Sequence, residues 1–291
     1  MRARTSAPMK KCVEALNASS GDIDEAIAWL RKAGVASAHK KAARGASEGV
    51  IAMAEADGAL ALVEINTETD FVARNDVFRE LTHAVCANAL SIDTLGKNVV
   101  EPIAIDMLNG TTLPDGSLVQ DSIGVAMTQL GENIVLRRAT RLSLSGEGVV
   151  VGYVHNAYSP RMGRTGAAVA LSSAASDVGA LRELGLQLAM HVVAASPIAL
   201  SKEMVDEAHI QRERDILTEQ ALSSGKPQNV IDKMVAGRLN KYFQEVALLE
   251  QAYVLDEQGG SVRKVLEVAS TRLGAPVELA GFARYHIGEI S

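Results

Sequence analysis

The residues of this sequence able to do covalent chemistry are few and scattered. Its two cysteines, Cys12 and Cys86, have no obvious base beside them to make a nucleophilic thiolate. His155 and His191 sit on apolar stretches, where histidine serves packing or an interface more readily than ligation. No glycine-rich phosphate loop and no metal-binding spacing occurs. The expectation is a protein that is not an enzyme and carries no cofactor of its own. One stretch stands apart: Asn66, Thr67, Glu68, Thr69, Asp70, Phe71, Val72, Ala73, Arg74, Asn75 and Asp76. In a chain with only four phenylalanines, it sets Phe71 beside Asp70 at a turn between a strand and a helix. On local physics alone, Asp70 caps that helix and Phe71 opens its buried face.

The elements that must position this turn can be read from periodicity. Cys12, Val13 and Leu16 share a face of a first helix, with Pro8 suited to its first turn. Asp22 and Glu25 form a capping-box pair before the stripe Ile23, Ala26, Ile27 and Leu30, which Trp29 flanks and Gly34 closes. Two helices this short need a third partner. Residues 36–48 read as a small-residue linker with a basic cluster, His39, Lys40, Lys41 and Arg44, on a solvated face. Residues 50–55 and 59–65 flank Asp57-Gly58 as a hairpin. A helix through Phe78, Leu81, Val85 and Ala89 follows, then an irregular stretch over 99–121, a helix over 119–130 stopped by Gly131, and a strand over 134–144.

The second half begins with strands over 149–155 and 167–171, separated by a loop over 158–165. Leu181, Leu184, Leu188, Val192 and Ala195 mark a helix that Pro197 ends. Two long polar helices, 202–222 and 228–247, are joined by Ser224-Gly225-Lys226-Pro227, and the second has only a narrow apolar seam. That seam predicts a projecting helical hairpin. A strand over 252–255, a helix over 261–271 and a strand over 277–287 complete the chain. This order is not βαβ alternation, so the fold class is α+β with antiparallel sheets.

Composition restricts the function classes. The chain is 47% hydrophobic and 22% charged with a net charge of −6, enough for a sizeable core and more than one module. Mean hydropathy is +0.09 and the isoelectric point is about 5.6. No apolar run approaches the roughly 18 residues of a membrane span. Acidity gives no push towards RNA, which favours cationic surfaces. Two cysteines fit a reducing compartment, and the first residues lack the apolar core of a secretion signal.

The wording of the central stretch, Thr67 to Asp76, resembles the signature of the elongation factor Ts family. So do MKKCVEALNASSGDIDEAIAWLRKAG, KKAARGASEGVI, LGENIVLRR, GYVHNA, MHVVAASP, SGKPQNVIDKMVAGRLNKYFQEVALLEQAYVLD and GFARYHIGE, in the family's order across nearly the whole chain. The family has a full helix before its Met-x-x-Cys segment, where only residues 1–7 precede it here. Either that start is trimmed or the apolar face is covered differently. Lys10-Lys11 precede Cys12, and Val13-Glu14 stand where the family has its lysine pair. Asn156 replaces the glycine that often follows the family's counterpart of His155, and a longer loop follows it.

The resemblance implies a small ubiquitin-associated-like helical module over 1–35, lacking most of its first helix, and a linker over 36–48. It implies two α+β core subdomains, 49–145 and 146–200 with 248–291, and an inserted coiled-coil hairpin over 201–247 able to form a homodimer. It implies guanine nucleotide exchange on elongation factor Tu. Thr69, Asp70, Phe71 and Val72 would dislodge Mg²⁺ from that GTPase, with further partner contacts at Met9, Cys12, Leu130, Gly131, His155, Val254 and Leu255. No cofactor, metal, nucleic acid or membrane enters, and the setting is a bacterial cytoplasm or a mitochondrial matrix. The rival expectations are a scaffold of the translation machinery with the same fold, and an RNA-binding module using residues 39–44.

Overall fold

The computed structural model describes residues 1, 5, 7, 9–41, 43–56, 58–92, 98–223, 227–256 and 260–289; side chains of 31 and 34–41 are not described. The helices of the first half are α1 Met9–Ala18, α2 Ile23–Lys41, α3 Asp70–Ala73, α4 Asp76–Ser91, α5 Ile105–Asn109 and α6 Val119–Leu130. Those of the second are α7 Val178–Ala195, α8 Glu207–Leu222, α9 Gln228–Val246 and α10 Val262–Leu273. The strands are β1 Glu48–Ala56, β2 Ala59–Thr67, β3 Val100–Ile103, β4 Ile134–Ser143, β5 Gly148–Ser159, β6 Met162–Ser172 and β7 Glu278–His286. This is an α+β protein with an antiparallel sheet. The chain forms two compact units, one of Met1–Ser143, Gly152–Ala168 and Tyr285–Ser291, the other of Leu144–Val151 and Val169–Arg284.

In the first unit the sheet order is β3-β4-β2-β1-β6-β5. The β1–β2 hairpin runs in register from Glu48↔Thr67 to Ala56↔Ala59. Gly58 takes the left-handed φ of +69° that a tight hairpin turn requires; Asp57 lies outside the described residues. Every residue of β2 is buried. The strand is central, and its faces are covered. On one side α4 presses Phe78, Val85, Cys86 and Ala89 into the core with Val63 and Ile65. On the other, a Cβ at Gly152 would come within 2.0 Å of Met53 Sδ and 2.7 Å of Leu60 Cδ1, so only glycine lets β5 approach so closely. Opposite the β-bulge at Glu64/Ile65, the fully buried Glu64 meets Arg138 at 2.6 Å. Arg138 also lies 4.2 Å over the Tyr285 ring and donates to the His286 carbonyl at 3.2 Å. Burial pushes the Tyr285 phenol up to about 12.

Several expectations need correction. Gly34 does not end α2, which continues to Lys41 and takes up the start of the expected linker. One glycine costs a helix about 1 kcal/mol, which the packing of α2 against α6 outweighs. The Asp22 carboxylate accepts from the Glu25 amide at 2.8 Å, but the Asp22 amide turns to the Ser19 carbonyl, so the capping box is half made. Pro8 lies outside the described residues. The stretch 99–121 is not irregular throughout: it contains β3 and α5, too short to leave a period. The expected loop over 158–165 is mostly strand, because β5 and β6 turn at Pro160 and Arg161, the latter at φ +63°.

In the second unit α7 buries Leu181, Leu184, Leu188 and Val192 and stops at Ser196, just before Pro197. Residues 202–204 form a separate 3-10 turn, and α8 starts only after the Asp206 cap. Along α8 and α9 just Leu217, Ala221 and Ile231 are buried, so the seam is as narrow as the sequence predicts. The joint 224–226 lies outside the described residues. The strand expected over 252–255 reduces to a single bridge, Ala252↔Ser261.

Candidate functional site

The turn after β2 is built by two loops that grip each other. Thr67 pairs with Ile134 at the last rung of the β2–β4 ladder, which brings residues 68–69 against residues 131–133. Gly131 caps α6 at φ +81° and reverses the chain there. The next residue, Glu132, offers both carboxylate oxygens to the opposite loop. Its Oε2 accepts from Thr67 Oγ1 at 2.7 Å and from the amides of Glu68 and Thr69 at 3.1 and 3.0 Å. Its Oε1 accepts from Thr69 Oγ1 at 2.6 Å. In return Glu68 Oε1 accepts from the Asn133 amide at 2.6 Å, while its carboxylate lies 3.5 Å from the Arg44 guanidinium. Burial pushes the Glu132 carboxyl up. The two threonine hydroxyls and two amides outweigh that, so it titrates below the usual glutamate value.

On this base stands α3, only four residues long. Thr69 is its N-cap, its hydroxyl accepting from the Val72 amide at 3.4 Å. Val72 packs on the core and Ala73 is buried. The Arg74 guanidinium lies 4.6 Å over the Tyr158 ring, so the β5–β6 hairpin supports the far side. Asn75 then caps α4. Phe71, between these anchors, is 82% exposed, against the local expectation that it starts a buried face. The Asp70 carboxylate beside it has no hydrogen-bond or salt-bridge partner among the described residues. A fixed turn thus offers a bare benzyl group and a free negative charge.

The other candidates divide. Met9 is exposed on α1, but Cys12 is buried and its thiol donates to the Ala7 carbonyl at 3.5 Å. Cys12 thus packs within the cluster of the helix pair. Leu130 is half-buried against the core, and Gly131 is exposed. His155 is exposed, its Nδ1 3.1 Å from the Tyr153 hydroxyl. In the second unit Val254 and Leu255 are exposed at a turn. The fully buried His191 holds that turn: its Nδ1 accepts from the Val254 amide at 3.2 Å, which leaves Nε2 to donate to Gln251 Oε1 at 3.0 Å. Burial pushes the His191 pKa down, against the Gln251 bond, and favours this neutral tautomer. The Gln251 amide in turn donates to the carbonyls of Ala195 and Glu245.

Sequence reasoning missed Glu132, Tyr158 and Gln251. No periodicity marks a lone acid after a helix stop. Arg44, read as part of a solvated cluster, pairs with Glu68; the side chains of the cluster's other members lie outside the described residues. No group of three or more histidine, cysteine, aspartate or glutamate side chains able to hold a metal occurs among the described residues. Among the described residues no helix is long and apolar enough to cross a membrane.

The fold and site define an α+β protein that presents an exposed aromatic–acid turn on a fixed base. The comparisons narrow the class. A family model described as Elongation factor TS matches residues 68–289. The chain is 47% identical over 289 residues to elongation factor Ts of Paramagnetospirillum magneticum, covering 99% of this chain and 89% of the relative. It is 44% identical to that of Rhodospirillum centenum, over 99% of this chain and 91% of the relative. The protein of the same description from Rhizobium johnstonii is 43% identical over 290 residues, 99% of this chain and 90% of the relative. The chain belongs to the elongation factor Ts family.

Proposed function

We propose that this member of the elongation factor Ts family, and so a guanine nucleotide exchange factor of translation elongation, acts on elongation factor Tu through the turn Thr69–Val72. The observation that carries the reading is Phe71, 82% exposed on a turn anchored from both sides, next to the partnerless Asp70. A solvent-facing phenylalanine with no packing role makes sense as an insert. Phe71 enters between helices of the GTPase near its Mg²⁺ and phosphate site. Asp70 competes for the groups that hold Mg²⁺, and Thr69 and Val72 set the height of the pair. Loss of Mg²⁺ removes the cation that bridges and neutralises the phosphates, and GDP leaves. Nucleotide and exchange factor weaken each other's hold by the same factor.

The magnitudes ask for more than this turn. Speeding release about 10⁴-fold takes roughly 5.5 kcal/mol of differential stabilisation. Burying one phenylalanine supplies about 1.5–3 kcal/mol. Exposed Met9, Gly131, His155 and the Val254–Leu255 turn, with half-buried Leu130, supply the rest of the grip. The helix pair α1–α2 is the ubiquitin-associated-like module, the α8–α9 hairpin is a coiled coil that forms a homodimer, and the setting is a bacterial cytoplasm. Neither a cofactor nor nucleic acid takes part.

The test is release of a fluorescent GDP analogue from elongation factor Tu as this protein is added. Acceleration saturating with concentration is expected. Binding without acceleration would favour the scaffold reading instead.

A further inference from the structure

We propose that Glu132 is a positioning residue for exchange, which sets the aromatic–acid turn at the height and angle it needs. The proposal rests on the reading of Asp70 and Phe71 given above. Three observations carry it. First, α3 has only four residues, too few to hold its own geometry. Second, one carboxylate takes four hydrogen bonds from three consecutive residues, Thr67, Glu68 and Thr69, the last being the helix N-cap. Such charge-assisted bonds are short and directional, and two oxygens used together fix orientation as well as distance. Third, the grip is mutual: Glu68 Oε1 accepts from the Asn133 amide, and Asn133 Nδ2 reaches the Arg44 carbonyl at 2.8 Å. The two loops are therefore locked against sliding in either direction. Phe71 is two residues beyond this lock and is 82% exposed, so its own packing does little to keep it in place.

Glu132 touches neither nucleotide nor its metal in this account; it acts through Thr69. Its removal leaves the amides of Glu68 and Thr69 without acceptors, and the turn relaxes. The saturating exchange rate then falls, while half-saturation, set by the wider docking surface, moves less. Glu132→Gln tests the geometry. Its amide oxygen can replace Oε2, and its amide nitrogen can donate to Thr69 Oγ1, which becomes the acceptor.

The experiment measures fluorescent-GDP release from elongation factor Tu against concentration of the full chain, for wild type, Glu132→Ala, Glu132→Gln, Phe71→Ala and the double variant Glu132→Ala with Phe71→Ala. A misplacement of about 1 Å can cost about 10²-fold, and a fall of roughly tenfold or more in the saturating rate is expected for Glu132→Ala. Glu132→Gln should restore most of it, and the double variant should be no slower than Phe71→Ala alone. Equal slowing by Glu132→Ala in both backgrounds would overturn the proposal, because Glu132 would then act elsewhere. An unchanged saturating rate would do the same. If Phe71→Ala itself matches wild type while Glu132→Ala slows exchange, the reading of the turn fails, and the proposal with it. If Glu132→Ala does not fold, Glu132→Asp, one methylene shorter, takes its place with the same expected outcomes.

Discussion

Phe71 is the residue on which local and functional physics disagree. A phenylalanine in the first turn of a helix normally goes inwards, and here it is the most exposed of the large apolar side chains described. Its neighbours absorb the consequence: Val72 and Ala73 turn to the core and Thr69 caps the turn. Two other residues hold charge or its absence in the interior. Glu64 is fully buried and depends on Arg138 at 2.6 Å. Arg138→Ala leaves that carboxylate with only the Asn66 side-chain amide at 3.1 Å and the more distant Arg137, and should destabilise the first unit by about 3–5 kcal/mol in denaturant unfolding. His191 is buried neutral, with a folded pKa below its ordinary value of 6.5. A depressed folded pKa contributes stability that is present above pH 6.5 and is lost as pH falls through the folded value. Stability of the wild type should therefore drop as pH falls below about 6.5, and His191→Gln should flatten that part of the profile. A profile identical in both would show that His191 does not titrate on unfolding.

At the scale of elements, what the sequence revealed depended on length and periodicity. The β1–β2 hairpin was legible from Asp57-Gly58 between two apolar runs. Gly131 and Pro197 marked the ends of α6 and α7. The four-residue β3 and five-residue α5 gave no period to read. Pro160 suggested a loop where β5 and β6 make a tight turn and bring Tyr158 beneath Arg74. The turn holding Asp70 and Phe71 was visible as a motif, but its lock was not, because Glu132 comes from the end of another helix 62 residues on and only the β2–β4 register joins them. The α8–α9 hairpin shows the reverse case. Its narrow seam was plain, and its base is a small separate cluster of Ala199, Val205 and Ala247. Deleting residues 203–246 and closing the gap should leave saturating exchange largely intact if the hairpin serves only a homodimer. Size-exclusion mass should fall to that of a monomer. A folded deletion protein without exchange activity would assign the hairpin a direct role on the GTPase.

At the scale of the molecule, the two units present separate exposed groups: Met9, Phe71 and His155 in the first, Val254 and Leu255 in the second. The Asp70–Phe71 turn and the Val254–Leu255 turn are held by side-chain hydrogen bonds, through the half-buried Glu132 in one unit and the buried His191 with Gln251 in the other. Rigid presentation fits an exchange factor, since binding energy spent on ordering a loop is not available to favour the open GTPase. The central claim is that exchange runs through an aromatic and an acid pushed into the partner's metal and phosphate site. It is tested most directly by the saturating rate of fluorescent-GDP release with Asp70→Ala and Phe71→Ala together. The account predicts a rate lowered by about tenfold or more with binding to elongation factor Tu retained. A double variant that saturates at the wild-type rate would contradict it.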